Sequence, residues 1–335
     1  MNKELEIWQF AAEKLARGET VMLLTVAQSS GSSPGRQGFK MMVAGDALTG
    51  SIGGGVMEVA LVELAKGKGQ KAKGKNKTEI PNPESQIVEQ VHRENAPHSS
   101  GMICSGRQTV IFFELNPSHL KEVEKIISAL KNQRFCRLRI SNLKFEISNS
   151  PGLVPDGAQN ADFRFSRAGE NEFIYEEKLG FKNKLFIVGG GHCALALSEI
   201  MSKMDFHISL FDDRADLNTL LKNDFVHEKK IIESYEKIGD FIPSGANIYV
   251  VVMTLGYKFD EIVIRKLFDK SFKYFGVLGS RAKMKTLLKA LEKEGFNKEK
   301  LARIRTPVGL KIGSRTPIEI AVSIAAEIIR VKNEF

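Results

Sequence analysis

The chain has 335 residues, 42% of them hydrophobic and 27% charged, a balance that excludes wholesale disorder and a length that divides naturally into two domains. Its net charge of +9 is concentrated: six lysines fall between Lys66 and Lys77 with no acidic residue among them, and without that stretch the excess is +3. No aromatic residues interleave with those lysines, so a stacking platform for nucleic acid is not indicated, and the stretch reads as a solvated loop.

The first residues are charged and amphipathic, with Trp8, Ala11, Ala12 and Leu15 on one face, which predicts a surface helix and not a signal peptide. Val21 to Ala27 predicts a buried strand. The run Gly31-Ser32-Ser33-Pro34-Gly35-Arg36-Gln37-Gly38 follows, combining small residues, hydroxyls and one arginine, and residues 40–44 return as a strand. Gly50-Ser51-Ile52-Gly53-Gly54-Gly55 then opens a helix from about 56 to 66, with Glu58 in its first turn. Glycine costs about 1 kcal/mol relative to alanine inside a helix, so the triplet needs a different explanation: close backbone approach or positive φ. It serves either as a helix-entry turn or as a nest of N–H groups for an anionic ligand.

Residues 83–95 suggest a helix, 108–114 a strand, 117–131 a helix, and 137–140 and 144–148 two more strands. Cys104 lies between small residues in a turn ahead of the 108–114 strand, where a thiol is either exposed or a small buried hydrophobe. Residues 162–166 and 172–176 alternate and predict a hairpin behind a Pro/Gly-rich loop. This gives an N-terminal domain over 1–150, a linker and hairpin over 151–178, and a C-terminal domain over 179–335.

The second half is organised around residues 184–204, an apolar strand that runs through Gly189, Gly190 and Gly191 directly into a helix. Gly189, Gly191 and Ala194 fit the G-x-G-x-x-G/A fingerprint, in which the glycines allow a tight turn and phosphate approach, and the third small residue allows helix and strand to pack. A second strand over 207–211 ends in Asp212 and Asp213, where a ribose-binding carboxylate is expected, and Arg214 is placed to meet phosphate. Further strands end at Thr254 and at Gly279-Ser280-Arg281, the latter opening another helix on the ligand side of the sheet. Thr316 to Glu319 is a capping box before a strongly apolar final helix. The fold class is therefore α/β: a C-terminal Rossmann-like doubly wound parallel sheet with an N-terminal mixed α/β domain.

Three cysteines without a C-x-x-C pair argue against a disulfide framework or a Cys-rich zinc site. No apolar stretch approaches the ~20 residues of a bilayer span. The expectation is a cytoplasmic protein without nucleic-acid or membrane partners.

Taken together, these stretches resemble the xanthine dehydrogenase accessory protein family of the XdhC/CoxI type, maturation factors for molybdenum hydroxylases. The resemblance rests on Gly31-Ser32-Ser33-Pro34, the glycine run 50–55 with Glu58, the Met102-x-Cys104 turn, Gly189-x-Gly191-His192, Asp212-Asp213-Arg214, Gly279-Ser280-Arg281, and the ending from Pro307 to Glu327. It implies a chaperone that binds molybdopterin or the molybdenum cofactor, in mononucleotide or dinucleotide form. It also implies sulfuration with a cysteine desulfurase, delivery to a molybdenum hydroxylase client, and a homodimer.

The residues expected to bind cofactor are Gly31, Ser32, Ser33, Arg36, Gly53, Gly54, Gly55, Glu58 and Cys104 in the first half, with the Cys104 sulfur as the metal contact. In the second half they are Gly189, Gly191, His192, Asp212, Asp213, Arg214, Thr254, Ser280 and Arg281. Where the family commonly has Cys-Gly-Gly, a cysteine after the glycine triplet and a histidine after Thr254, this chain has Cys104-Ser105-Gly106, Val56 and Leu255. The alternative function is an NAD(P)-dependent oxidoreductase in which Asp212 holds the ribose; the lack of a clear acid/base dyad weakens it.

Overall fold

The computed structural model describes residues 3–67, 87–91, 106–141, 144–148, 162–167 and 172–334. Chain contacts divide them into two compact units, Met1–Gly180 and Phe181–Phe335.

In the first unit, helix α1 (Lys3–Ala16) precedes strands β1 (Val21–Ser30), β2 (Lys40–Ala44) and β3 (Ala47–Gly50), helix α2 (Gly55–Ala65), and strands β4 (Ile87–Val91) and β5 (Arg107–Leu115). Helix α3 (Leu120–Lys131) and strands β6 (Cys136–Ser141), β7 (Lys144–Ser148), β8 (Phe163–Arg167) and β9 (Phe173–Leu179) complete it. Among the described residues these strands form two antiparallel sheets, in the orders β3-β2-β1-β5-β4 and β7-β6-β9-β8.

Two expectations are corrected here. Ile87 to Val91, read as part of a helix, is a strand: its branched residues pair with β5 in antiparallel register, with Ile87, Val88 and Gln90 buried. The expected hairpin forms, as β8 and β9, but it belongs to the first unit and not to a junction between domains, because β9 lies between β6 and β8 in a sheet of that unit. A buried ionic cluster reinforces the point. Lys40 on β2 pairs with Glu177 on β9 at 2.7 Å and with Glu4 on α1 at 3.2 Å. Burial alone would lower the Lys40 pKa, but the two carboxylates outweigh it and hold the amine protonated.

The second unit contains β10 (Asn183–Val188), α4 (His192–Met201), β11 (Phe206–Asp212), α5 (Asn218–Leu221), β12 (Glu228–Ile231), α6 (Ile238–Phe241), β13 (Gly245–Val252) and α7 (Tyr257–Leu267). It ends with β14 (Phe272–Val277), α8 (Arg281–Lys293), α9 (Lys298–Ala302) and α10 (Pro317–Asn333). All of its strand pairs are parallel, in the order β12-β11-β10-β13-β14. Alternate strand residues feed opposite faces: Leu185, Ile187, Tyr249 and Val251 pack with α4 and α10, while Phe186, Val188, Val250 and Val252 pack with α7 and α8. Covered on both sides, the sheet is doubly wound, and its strand order reverses between β10 and β13.

The long ending that carries the resemblance turns out to be local construction. A Cβ on Gly309, whose φ is +97°, would run into the Ser323 hydroxyl. The Gly309 N–H and the Tyr274 phenol both donate to buried Glu327 Oε2, at 2.8 and 2.7 Å. The Thr316 hydroxyl accepts the Glu319 N–H while the Glu319 carboxylate accepts the Thr316 N–H, so the capping box is formed.

Candidate functional site

In the second unit the glycine turn sits at the carboxyl end of β10, beside the reversal of strand order. Gly189 has φ +106°, and a Cβ there would strike the Met253 carbonyl at the end of β13, so only glycine lets the two strand ends meet. Its N–H donates to the Phe211 carbonyl at 2.7 Å. The Gly190 carbonyl accepts from the Thr219 hydroxyl at 2.6 Å, and the Gly190 N–H donates to Asp212 Oδ2 at 2.6 Å. Gly191 caps α4 and has open space where a side chain would stand. The first N–H groups of α4 have no carbonyl of their own helix to bond and stand at the positive end of its dipole, with His192 exposed beside them. Ala194 is fully buried, as close packing of helix and strand requires.

Asp212 overturns one expectation. Its carboxylate is completely buried and accepts from Gly190 N–H, from Arg214 N–H at 2.9 Å, and from the Arg214 guanidinium at 2.8 Å on each oxygen. Burial would raise its pKa, yet the Arg214 and backbone bonds outweigh it and the carboxyl stays below its ordinary range. Asp212 therefore holds the turn and is not presented to a ribose. Asp213, half-buried, is the carboxylate at this strand end that meets solvent. Tyr235 is buried beside the pair, its phenol pushed up by burial and by both carboxylates.

At the end of β13, Asp260 on α7 accepts from the Thr254 N–H at 3.2 Å and from the Thr254 hydroxyl at 2.6 Å. Burial pushes the Asp260 carboxyl up to about 6 against the opposing pull of those bonds. Sequence reasoning named Thr254 and missed Asp260; the available signal was an acidic residue in the first turn of the following helix. Ser280 accepts the Lys283 N–H at 3.4 Å and so caps α8, and Arg281 beside it is exposed.

In the first unit, three backbone segments meet where only glycine fits. A Cβ on Gly35 would hit the Ile52 carbonyl, one on Gly53 would hit Pro34 and Gly35, and one on Gly106 would hit the Ser32–Ser33 peptide. Beneath them runs a buried amide chain. Ser33 Oγ and the Gly35 N–H donate to Gln108 Oε1 at 2.9 and 3.2 Å, and Gln108 Nε2 donates to Gln90 Oε1 at 2.7 Å. Polar residues at Gln90 and Gln108 within otherwise apolar strands were the missed signal. Gly31 and Ser32 are exposed, as is Arg36, which donates to the Gly31 carbonyl at 3.4 Å.

The glycine triplet holds the second correction. Glu58 Oε2 accepts from the Ser51 hydroxyl at 2.7 Å, the Ile52 N–H at 2.8 Å and the Gly54 N–H at 2.9 Å. The nest expected for a ligand anion thus already holds the protein's own carboxylate. Partial burial raises the Glu58 pKa less than these bonds lower it. Gly54 and Gly55, at φ +76° and +75°, have nothing near the missing Cβ, so they are required by conformation alone.

Cys104 and its turn lie outside the described residues. Among the described residues no three His, Cys, Asp or Glu side chains gather as a metal site. Burial pushes the Cys136 thiol up to about 12 and raises that of Cys193, so neither is poised as a thiolate. No helix among the described residues is long and apolar enough to cross a membrane.

Comparison with known proteins matches residues 185–328 to the XdhC Rossmann domain and residues 14–75 to the XdhC and CoxI family. The "Uncharacterized protein YqeB" of Escherichia coli (strain K12) is 32% identical over 177 residues, which cover 52% of this chain and 32% of that protein. A probable xanthine dehydrogenase subunit of Bacillus subtilis (strain 168) is 31% identical over 166 residues, covering 48% of this chain and 46% of that protein. The chain therefore spans less than half the length of either relative. The crystal structure of a xanthine dehydrogenase from Bacillus halodurans superposes with a TM-score of 0.69 at 19% identity, covering 98% of this chain and 95% of that one, and shares the fold.

Proposed function

We propose, from the premise that this chain belongs to the XdhC-type family, that it is a maturation factor for a molybdenum hydroxylase of the xanthine dehydrogenase kind. In this reading it binds the molybdenum cofactor as cargo, keeps it during sulfuration by a cysteine desulfurase, and passes it to the client enzyme.

One observation carries the reading: the start of α4, where Gly191 leaves open space beside backbone N–H groups at a helix N-terminus. The terminal phosphate of a pterin, or the diphosphate of its dinucleotide form, is the chemistry such a helix start favours. His192 is exposed in its first turn, and Arg214, although tied to Asp212, keeps its side chain 31% exposed. The second glycine turn contributes only if the ligand displaces Glu58. The NAD(P) alternative loses Asp212, whose carboxylate is buried within the turn, and would have to use Asp213 for the ribose.

The test is retention of cargo. Purified protein incubated with the molybdenum-loaded cofactor, in its simple or its dinucleotide form, should keep pterin and molybdenum through gel filtration, with NAD(P)H as the competing ligand in a parallel incubation. Gly191→Val, whose Cβ stands in open space, should weaken pterin binding at least about tenfold while folding normally. Cys104→Ala should lose molybdenum while keeping the fold. Hydride transfer from bound NAD(P)H with no pterin retained would sink the proposal.

A further inference from the structure

Three elements of the second unit converge on a patch that a phosphate at α4 would leave unused. Asp213 follows β11, keeps its side chain 27% exposed, and is reached by the Arg214 Nε only at 3.7 Å. Tyr235, in the turn between β12 and α6, is 2% exposed and stands beside that carboxylate. Its phenol oxygen is buried yet closes no hydrogen bond within the chain, so a polar partner is wanting at this spot. Phe259, in the first turn of α7, packs against the Tyr235 ring with centroids 5.5 Å apart and remains 39% exposed. Leu255, in the loop before that helix, is 74% exposed. A carboxylate, an unpaired phenol and an aromatic face that meets water therefore lie close together at the carboxyl ends of the strands, the ligand side of a doubly wound sheet.

This combination selects a kind of ligand. A water-facing aromatic ring suits a flat heterocycle, which stacks on it. An aspartate carboxylate only accepts, through two oxygens, so it is matched by two adjacent N–H donors in one plane. A 2-amino-4-oxopyrimidine has such an edge, its 2-amino group beside N3–H, in pterin and in guanine alike. Adenine does not, because its amine stands beside a ring acceptor. We propose that Asp213 accepts both N–H groups of a 2-amino-4-oxopyrimidine edge while the ring lies on Phe259, and so determines which heterocycle the site takes. The inference rests on the maturation reading for the source of that ring, a pterin whose phosphate sits at α4.

Free pterin carries neither phosphate nor molybdenum, so its binding is read apart from the retention of cargo. Quenching of its fluorescence by the full chain should give a dissociation constant at least about tenfold below that of lumazine, which has a carbonyl in place of the 2-amino group. That comparison needs no variant. Asp213→Asn should reverse the order, because an amide accepts one bond and donates another, matching the N3–H and C2 carbonyl of lumazine. Phe259→Ala should weaken both ligands about tenfold and keep their order. Circular dichroism should be unchanged in both variants. Guanosine monophosphate separates the two sources: its binding in place of pterin, lost in D213N, supports the same edge on a guanine. Binding of neither ring, equal affinity for pterin and lumazine, or an order unmoved by D213N overturns the inference. So does adenosine bound ahead of pterin through Asp213, since the carboxylate would then hold a ribose. Cargo retained alongside any of these results leaves the maturation role standing, whereas pterin selected with molybdenum lost breaks that role alone.

Discussion

Two glycine turns in this molecule are each closed by a carboxylate of the same chain, and they differ in depth. Asp212 is completely buried and bonds both to Gly190 and to Arg214, whereas Glu58 is only partly buried and bonds to hydroxyl and backbone donors without a cation. Removing a partner from a buried ion pair leaves an uncompensated charge, while removing a partly solvated cap leaves donors that water can reach. The first turn is thus part of the core of its unit, and the second is closed by a cap that water reaches.

The largest expected effect is Asp212→Asn. It removes the nearer counter-charge of the Arg214 guanidinium, leaving Asp213 at 3.7 Å, and sets an amide N–H against the donors of Gly190 and Arg214, so denaturant unfolding of the second unit should lose about 3–5 kcal/mol. The sign with pH follows from the lowered carboxyl. The contribution of Asp212 is present above its unfolded value, near 4, and is lost as pH falls through the folded value.

Almost as large should be Gly189→Ala, where positive φ and the Met253 carbonyl act together, at about 3 kcal/mol or more. Gly191→Ala, two residues on in the same fingerprint, should cost at most about 1 kcal/mol, because its φ of −71° suits any residue and the space is open. Equal losses at the two positions would show that the turn works as a unit and not glycine by glycine.

Asp260 offers the opposite pH slope. Its carboxyl, pushed up to about 6, binds a proton more tightly in the folded state, so stability falls as pH rises from about 4 to about 6. Asn at this position can still accept from Thr254 and carries no charge. Asp260→Asn should therefore flatten that part of the stability curve, with a gain on the order of 3 kcal/mol at neutral pH at most. Melting temperatures recorded from pH 4 to pH 8 would check it; a steeper curve in the variant would contradict the burial argument.

Most of the second unit was legible in the sequence, because a parallel sheet covered on both faces writes its strands as continuous apolar runs and its turns as glycine. The first unit was less so. Ile87 to Val91 followed a polar stretch and carried no turn signal that set strand apart from helix, and the hairpin over 163–179 gave no sign that β6 would be its neighbour. Around both glycine turns the residue types were legible, but their roles were not. A carboxylate near a glycine run reads the same whether it waits for a ribose or fills the turn itself, and only the bonds of Asp212 and Glu58 decide between these.

The smallest effect should be the most informative. Glu58→Gln keeps the shape of the cap, removes its charge, and should cost about 1 kcal/mol or less, since the site is partly solvated and the amide oxygen can still accept the Ile52 and Gly54 N–H groups. If the carboxylate competes with cargo for this nest, the same change should tighten pterin phosphate binding, and so should lowering the pH far enough to protonate Glu58 in the wild type. Titration of the E58Q chain with molybdopterin beside the wild type reads this directly. Tighter binding would make the nest a gated anion site, whereas unchanged affinity would confine Glu58 to helix entry and leave α4 as the phosphate contact.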